Sequence, residues 1–113
     1  MEHTLPRSKR LTRKEEFTRV FASGNKVTRD GLTAWLSPAP SPRLGCAIPR
    51  AYGNAVQRNR LKRRLRAAFR ELYEQLPAAD IVISASARKK PLSYHEIDAF
   101  FRHLGASAPA LDQ

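Results

Sequence analysis

The sequence contains little of several features, and each scarcity excludes a class of protein. Its 113 residues include one cysteine, Cys46, so no disulfide can form within the chain, and a buried thiol in a reducing compartment is expected. No apolar run approaches the roughly 20 residues that span a bilayer, and the opening MEHTLPRSKRLTRKEE lacks the apolar segment of a signal peptide. The sequence therefore predicts a cytoplasmic protein without a membrane partner.

Carboxylates are also scarce, and the middle of the chain has none. The whole sequence carries 21 Lys and Arg against ten Asp and Glu, a formal net charge of +11. Residues 31–70 hold nine of the basic residues and no acidic one, and GNAVQRNRLKRRLR, residues 53–66, holds six of those nine. This balance favours a polyanionic partner over a small neutral substrate.

Capping signals predict three helices. A T-x-x-E capping box at residues 12–15, with Gly24 suited to a left-handed residue after the last turn, predicts a helix over residues 11–24. An N-cap at Asn54, with Gln57 placed to cap it in return, opens a longer helix that reaches about residue 75. A third capping box, S-x-x-E from Ser93 to Glu96, opens the last helix.

Strands are predicted between these helices. GLTAWLS and RLGCAI alternate in polarity on either side of SPAPSPR, which predicts a hairpin connection, and DIVISAS, residues 80–86, is typical of a buried strand. The order α, two or three strands, α, β, α predicts an α+β fold: a two-layer sandwich with its sheet covered on one face and a βαβ crossover. The length predicts one domain, residues 1–113, with residues 1–10 and 105–113 mobile.

The second helix separates its side chains by type. Its apolar residues share one side, an arc wide enough to dock on a sheet: Leu61, Leu65, Ala68, Phe69, Leu72 and Leu76. Arginines at positions 60, 63, 64, 66 and 70 take the opposite side with Asn59, Lys62 lies at the border, and Arg58 lies near the core stripe. A solvated face normally mixes charge signs, because like charges at i, i+4 destabilise a helix. An acid-free, arginine-rich face therefore favours nucleic acid over simple solvation.

Charge alone does not distinguish DNA from RNA. The predicted fold has no helix-turn-helix pair or zinc-finger spacing, and an open sheet face favours RNA or single strands, whose bases stack on aromatic side chains. Trp35 stands on that face, where the small neighbours Gly45 and Ala47 leave room for a shallow cleft. The alternative is that Trp35 packs under a helix as a core residue of the second face. The residues alone favour neither base stacking nor packing for Trp35.

At these residues the sequence resembles the protein component of bacterial ribonuclease P. GNAVQRNRLKRRLRAAFR, residues 53–70, resembles the family signature, RNR followed by LKRxxR. RLTRKEEFTRVFASG, RLGCAIPR and ADIVISA resemble its first helix and two of its strands, so the likeness covers about residues 7–104. The family fold is αβββαβα with a left-handed crossover, similar to a ribosomal-protein domain, whereas the general rule for βαβ units predicts a right-handed one.

The resemblance implies the small subunit of an RNA enzyme that removes the 5′ leader from precursor tRNA. In that family the RNA subunit performs the Mg²⁺-dependent hydrolysis, so the protein is expected to be an accessory subunit of an endoribonuclease without catalytic residues or a metal site of its own. The Mg²⁺ is expected to be held mainly by the RNA subunit and the substrate. The implied partners are the ribonuclease P RNA and the precursor tRNA leader, and no protein partner is implied.

Site residues are carried over from the resemblance position by position. The signature implies contacts with the catalytic RNA and with the region near the cleavage site, at Arg58, Asn59, Arg60, Lys62, Arg63 and Arg66. The aromatic residues that match the family's leader cleft are Phe17, Phe21 and Trp35. Further basic contacts are expected at Arg13, Arg50 and Arg70. Where the family often has Ser-Lys-Lys, this chain has Pro49, Arg50 and Ala51, so one expected lysine contact is missing.

Two other functional classes fit parts of the sequence. A self-sufficient nuclease needs a metal or an acid–base cluster, but the carboxylates are scattered, and His3, His95 and His103 have no ligand-type partners at close spacing. A structural RNA binder such as a ribosomal protein is compatible with the fold and charge. The signature favours the ribonuclease P subunit over both.

Overall fold

The computed structural model describes residues 5–87 and 91–106. Its helices and strands, in chain order, are α1 (Lys14–Ser23), β1 (Asn25–Arg29), β2 (Leu32–Pro38), β3 (Arg43–Cys46), α2 (Ala55–Glu71), β4 (Ala79–Ala85) and α3 (Tyr94–Ala106). Short 3₁₀ turns lie at Arg7–Lys9, Arg50–Tyr52 and Tyr73–Gln75. The predicted order of elements is confirmed, with three strands before α2. Over the described residues, no helix combines the length and apolar character needed to cross a membrane.

The four strands form one mixed sheet in the order β1-β2-β4-β3. β2 runs antiparallel to both β1 and β4, and β3 runs parallel to β4, so the predicted βαβ crossover through α2 is confirmed. The predicted hairpin between β2 and β3 is wrong, because β4 lies between them. The hairpin instead joins β1 to β2 at Asp30 and Gly31, whose positive φ angles of 53° and 85° suit a tight two-residue turn.

Two cores lie on opposite faces of the sheet. The main core packs α2 and α3 on the face formed by Leu32, Ala34 and Leu36 of β2 and the matching side chains of β3 and β4. The other face carries a smaller core, in which α1 packs on the sheet through Val20 and Val82. The prediction of a sheet covered on one face therefore holds only in part: β4, apolar on both sides, needs cover on both, and α1 supplies the second.

The helix ends confirm two of the three predicted capping boxes. Asn54 Oδ1 accepts from the Gln57 N–H at 2.9 Å, and Ser93 Oγ accepts from the Glu96 N–H at 3.2 Å. The first box is wrong: Glu16, not Glu15, accepts from the N–H groups of residues 12 and 13 at 3.1 Å each, and α1 begins at Lys14. Gly24 is also not left-handed, since its φ is −78° and the chain passes directly into β1.

The N-terminal segment was expected to be mobile. Leu5 is instead fully buried in the main core, and the N–H of Leu11 donates to the Leu44 carbonyl at 2.8 Å, beside a parallel bridge between Arg10 and Leu44. Burial of a leucine stabilises its place by roughly 1.5–3 kcal/mol, which opposes fraying of residues 5–10. Residues 1–4 and 107–113 lie outside the described residues, so the expectation for them stands as made.

Candidate nucleic-acid interface

The basic helix α2 begins at a tightly closed N-terminus. Asn54 and Gln57 cap each other's backbone N–H groups, at 2.9 Å and 2.8 Å. A Cβ at Gly53 would meet the Gln57 Oε1 that caps Asn54, so a larger residue there would have to displace the capping side chain. The 3₁₀ turn just before it holds Arg50, which is exposed, as is Pro49. The signature residues therefore stand on a helix whose first turn is fixed.

The residues predicted on α2 form one surface, called here the α2 basic surface: Arg58, Asn59, Arg60, Lys62, Arg63 and Arg66. Three of them, Arg58, Lys62 and Arg66, are spaced four residues apart and are half-buried on the side of the helix towards β3. Burial raises the pKa of the Cys46 thiol on β3 to about 11, and the positive charges of Arg66 and Lys62 oppose that rise. Both side chains therefore lie near the end of β3, at the sheet edge.

The remaining residues point away from β3. Asn59, Arg60, Arg63 and Arg70 are exposed. Arg64, predicted on the same solvated side, is half-buried: its Nη1 donates to the Leu92 carbonyl at 2.9 Å, and its guanidinium carbon lies 4.9 Å from the ring centre of Tyr94 on α3. The single basic face predicted from helical phase is therefore divided into a β3 side, an outer side and an α3 side.

The α2 basic surface is not neutralised within the described residues. Across residues 5–87 and 91–106, none of the carboxylates forms an ion pair with its five cationic side chains. Neighbouring cations without counter-charges repel each other and attract polyanions. Arginine guanidinium groups can also bind a phosphate through two parallel hydrogen bonds. The surface therefore has the charge and the donor groups that phosphate recognition needs.

Other arginines have a different environment, at the junction of α1 with the sheet. Asp80 on β4 is 2% exposed; its Oδ1 accepts from Arg43 Nε at 2.8 Å, and its Oδ2 from Arg43 Nη2 at 3.0 Å and from Arg19 Nη2 at 2.5 Å. Arg43 also donates to Glu16 Oε2 at 3.0 Å. The hydrogen bond to Asp80 is the largest cause that raises the pKa of Arg43, and burial opposes it. This network, called here the Asp80 network, holds α1 against the ends of β3 and β4.

The Asp80 network positions the predicted aromatic residues, which lie together on the second face of the sheet. Phe21 is 42% exposed and meets Trp35 edge to face, with ring centres 4.8 Å apart, and Lys26 Nζ lies 5.8 Å from the Trp35 ring centre. Phe17 is half-buried and packs directly on Gly45, where an added Cβ would come within 2.8 Å of the ring. The open space expected above Gly45 is thus filled by Phe17. Phe21 is exposed, whereas Trp35 is half-buried and packs in part against the small core, as the alternative prediction for it expected.

Two features were missed by the reasoning from sequence. Tyr94 has the helical spacing of the apolar residues Ile97 and Phe101, but it is 64% exposed at the first residue of α3. The Asp80 network was also missed, although a single carboxylate at the start of the apolar run DIVISAS signals a buried ion pair. Among the sites predicted at the periphery, Arg13 is exposed at the start of α1.

Metal-ligating side chains are dispersed over the described part of the chain. Within it, no three His, Cys, Asp or Glu side chains are grouped closely enough to hold a metal ion. His95 is exposed and His103 is half-buried, both on α3, and His3 lies outside the described residues.

Comparisons with known proteins point to one family. The family model described as Ribonuclease P matches residues 5–108. A ribonuclease P protein component from Shouchella clausii is 33% identical over 111 residues, which cover 95% of this chain and 91% of that protein. A protein of the same name from Streptococcus thermophilus is 31% identical over 102 residues, which cover 88% of this chain and 92% of its own length.

Solved structures give the same result for the fold. The RNase P protein of Staphylococcus aureus superimposes with a TM-score of 0.76 at 25% identity, covering 88% of this chain and 94% of the other. The RNase P protein of Thermotoga maritima superimposes with a TM-score of 0.70 at 24% identity, covering 83% and 96%.

Proposed function

Because the chain belongs to the ribonuclease P protein family, we propose that it is the protein subunit of the ribonuclease P ribonucleoprotein. In this proposal it acts in the cytoplasm as a single RNA-binding domain. It binds the catalytic RNA and the 5′ leader of precursor tRNA and promotes the endonucleolytic maturation of the tRNA 5′ end. The RNA subunit performs the chemistry, and the protein is accessory to it.

The observation that carries the proposal is the α2 basic surface without internal counter-charges. Its five cations would lower the repulsion between RNA phosphates, and each phosphate contact would release condensed counterions. Arg50 and Arg70 extend this surface at the two ends of α2, and Arg13 adds a charge at the start of α1. Because the chain belongs to the ribonuclease P protein family, we assign this surface to the catalytic RNA and not to DNA.

The leader is proposed to lie on the second face of the sheet. The exposed edge of Phe21 and the adjacent Trp35 ring offer a surface on which unpaired bases can stack, and Lys26 lies close enough to contact a phosphate beside the stacked base. Phe17 supports this surface from within the small core. Base stacking of this kind tolerates any sequence, which suits leaders that differ between tRNAs.

Magnesium enters the proposal as an ion of the assembled ribonucleoprotein. When bound, Mg²⁺ supplies an activated water and stabilises the charge that develops on the phosphate. The described side chains offer no grouped carboxylates to hold it, so we assign it mainly to the RNA subunit and the substrate. The residues of this chain would neutralise phosphates and orient the leader around that site.

The proposal is tested by reconstitution. The protein, a bacterial ribonuclease P RNA and a precursor tRNA are combined at low Mg²⁺, and cleavage at the mature 5′ end is measured with and without protein. We expect the protein to increase cleavage and substrate affinity. A double variant, Arg60→Ala with Arg63→Ala, should weaken assembly with the RNA and reduce the slope of log affinity against log salt by about 1.5, since two phosphate contacts are lost.

The leader surface is tested separately with a matched pair of substrates, one with and one without the 5′ leader. Phe21→Leu keeps an apolar side chain and removes the ring, and it should reduce the affinity gained from the leader; Phe21→Tyr, which keeps the ring, should restore it. Absence of any gain in cleavage or affinity from the protein would disprove the proposed function. Cleavage by the protein alone would favour a self-sufficient nuclease, and copurification with ribosomal RNA alone would favour a structural RNA binder.

A further inference from the structure

We propose that Tyr94, with Arg60, Arg63 and Arg64, forms a second RNA-binding site that takes one unstacked nucleotide of the catalytic RNA. In this site the base stacks on the Tyr94 ring and the adjoining phosphates contact Arg60 and Arg63. The inference rests on the proposed function, since it names a further contact with the same RNA partner. It concerns the seam between α2 and α3, on the opposite face of the sheet from Phe21 and Trp35.

Tyr94 has an exposure that packing does not explain. It is 64% exposed, while Ile97, Phe100 and Phe101 on the same helix are 0–1% exposed. A single exposed ring is common on protein surfaces, and Tyr94 differs from such a ring because a guanidinium contacts it and three arginines line the depression beside it. A tyrosine ring with an accessible face is a stacking surface for any nucleobase.

Arg64 fixes the ring in place before any ligand binds. Its Nη1 donates to the Leu92 carbonyl at 2.9 Å, and its guanidinium carbon lies 4.9 Å from the Tyr94 ring centre. Leu92 is itself buried and adjoins the start of α3. The hydrogen bond to Leu92 and the contact with the Tyr94 ring together hold the guanidinium in place. A side chain already ordered in the free protein loses less conformational entropy on binding, which favours a planar ligand at this position.

Two depressions of different charge share Tyr94 in their lining. One, of about 370 Å³, is lined by Arg60, Arg63, Arg64, Ala67 and Tyr94. Another, of about 350 Å³, is lined by Ala67, Ala68, Glu71, Tyr94, His95 and Asp98. Phosphates are attracted to the first and repelled from the second. A nucleotide can therefore place its neutral base on the Tyr94 ring and its phosphates at the arginines. An acidic peptide carries charges along its whole length and offers no neutral planar group for the ring.

The location of the seam selects the catalytic RNA over the leader. The aromatic pair proposed for the leader lies on the face of the sheet that α1 covers, since Phe21 belongs to α1 and Trp35 to β2, whereas α2 and α3 cover the other face. Arg60 and Arg63 already belong to the α2 basic surface proposed for the catalytic RNA, and Tyr94 extends that surface by one helix. An RNA strand that follows α2 can therefore place a flipped-out base on Tyr94 without leaving the helix.

The test measures binding of a bacterial ribonuclease P RNA by the full-length protein, without substrate, over a series of salt concentrations. Tyr94→Ala is expected to raise the Kd at least about five-fold, because one base–aromatic stack is lost. Its salt slope should equal that of the unaltered protein, since no charge is removed, whereas Arg60→Ala should lower the slope by about 0.8. Tyr94→Phe should bind like the unaltered protein. Arg29→Ala, on the β1–β2 hairpin, serves as the control for loss of one exposed arginine.

Each outcome decides the inference separately from the proposed function. Equal Kd values for Tyr94→Ala and the unaltered protein, with Arg60→Ala weakened, would overturn the site and leave the proposed function intact. Loss of affinity only for leader-containing substrate in the assembled complex would also overturn it, because the occupant would then be the leader. Thermal unfolding of each variant checks folding, and the exposure of Tyr94 predicts an unchanged melting temperature. Reduced binding of Tyr94→Ala, restored in Tyr94→Phe, would support the site.

Discussion

The arginines of α2 and those of the Asp80 network are the same residue type with opposite roles. Arg43 is fixed by Asp80 and Glu16, and Arg19 by Asp80. Arg60 and Arg63, by contrast, stand exposed on the part of α2 that precedes Glu71 and has no carboxylate. The difference shows that arginine content alone does not locate the interface. The surroundings within the fold make the difference. An arginine that has a carboxylate within hydrogen-bond distance stabilises the structure, whereas the charge of an arginine without one is available to an external anion.

The largest expected effect comes from removing the carboxylate that the paired arginines share. Asp80→Ala should lower the free energy of unfolding by about 2–3 kcal/mol, because Arg19 and Arg43 lose their charge-assisted hydrogen bonds to Asp80 and Arg43 keeps only Glu16. Urea unfolding followed by circular dichroism measures the change. Asp98→Ala is the control, since it removes an exposed i, i+4 partner of Arg102 and should cost no more than about 0.5 kcal/mol. Similar costs for the two variants would remove the distinction between the two arginine groups.

A smaller and pH-dependent effect is expected at Glu16. The N–H of Arg13 is the largest cause that lowers the pKa of Glu16 below its ordinary value of 4.5, and the cation of Arg43 adds to it. A lowered pKa means that the ionised carboxylate stabilises the folded state above pH 4.5, and that this stabilisation is lost as pH falls through the folded pKa. Glu16→Gln should therefore lower the free energy of unfolding by about 1 kcal/mol at pH 7.

Unfolding experiments on Glu16→Gln at several pH values test this sign. The difference from the unaltered protein should shrink steadily below pH 4.5, since both side chains are then neutral. Glu15→Gln, one position away and exposed, controls for the loss of a charge from α1. A difference that grew on acidification would contradict the assigned direction.

The smallest stability effect is expected on α2, where the substitution should stabilise the protein instead of destabilising it. Arg63→Glu places a carboxylate three residues from both Arg60 and Arg66, so the free energy of unfolding should rise by about 0.2–0.5 kcal/mol. The same variant should bind ribonuclease P RNA more weakly than Arg63→Gln, which removes the charge without inverting it. A loss of stability together with retained RNA binding would mean that Arg63 belongs with the structural arginines.

Much of the fold was predictable because its signals are local. The capping residues Asn54 and Ser93 fixed two helix starts, and the alternation of Leu32, Ala34 and Leu36 fixed the core face of β2. The misassigned parts depended on distant partners. β2 and β3 were expected to pair because they are consecutive, and nothing local indicates that β4, more than 30 residues later, lies between them. Glu16 was overlooked as a cap because its second role, the contact with Arg43, exists only once α1 lies on the sheet.

The sequence by itself determined the chemistry of the interface: an acid-free run from residue 31 to residue 70, the helical phase of its arginines, and a signature that identified the family. These features depend on residue type and spacing along one helix. Only the tertiary structure decided which charges stay available. Folding brings Asp80 to Arg19 and Arg43, which are 61 and 37 residues away along the chain. Arg64 donates a hydrogen bond to Leu92 and contacts the Tyr94 ring. Phe17 fills the space above Gly45. The pairing of charges and rings between elements is fixed by packing, which no local pattern encodes.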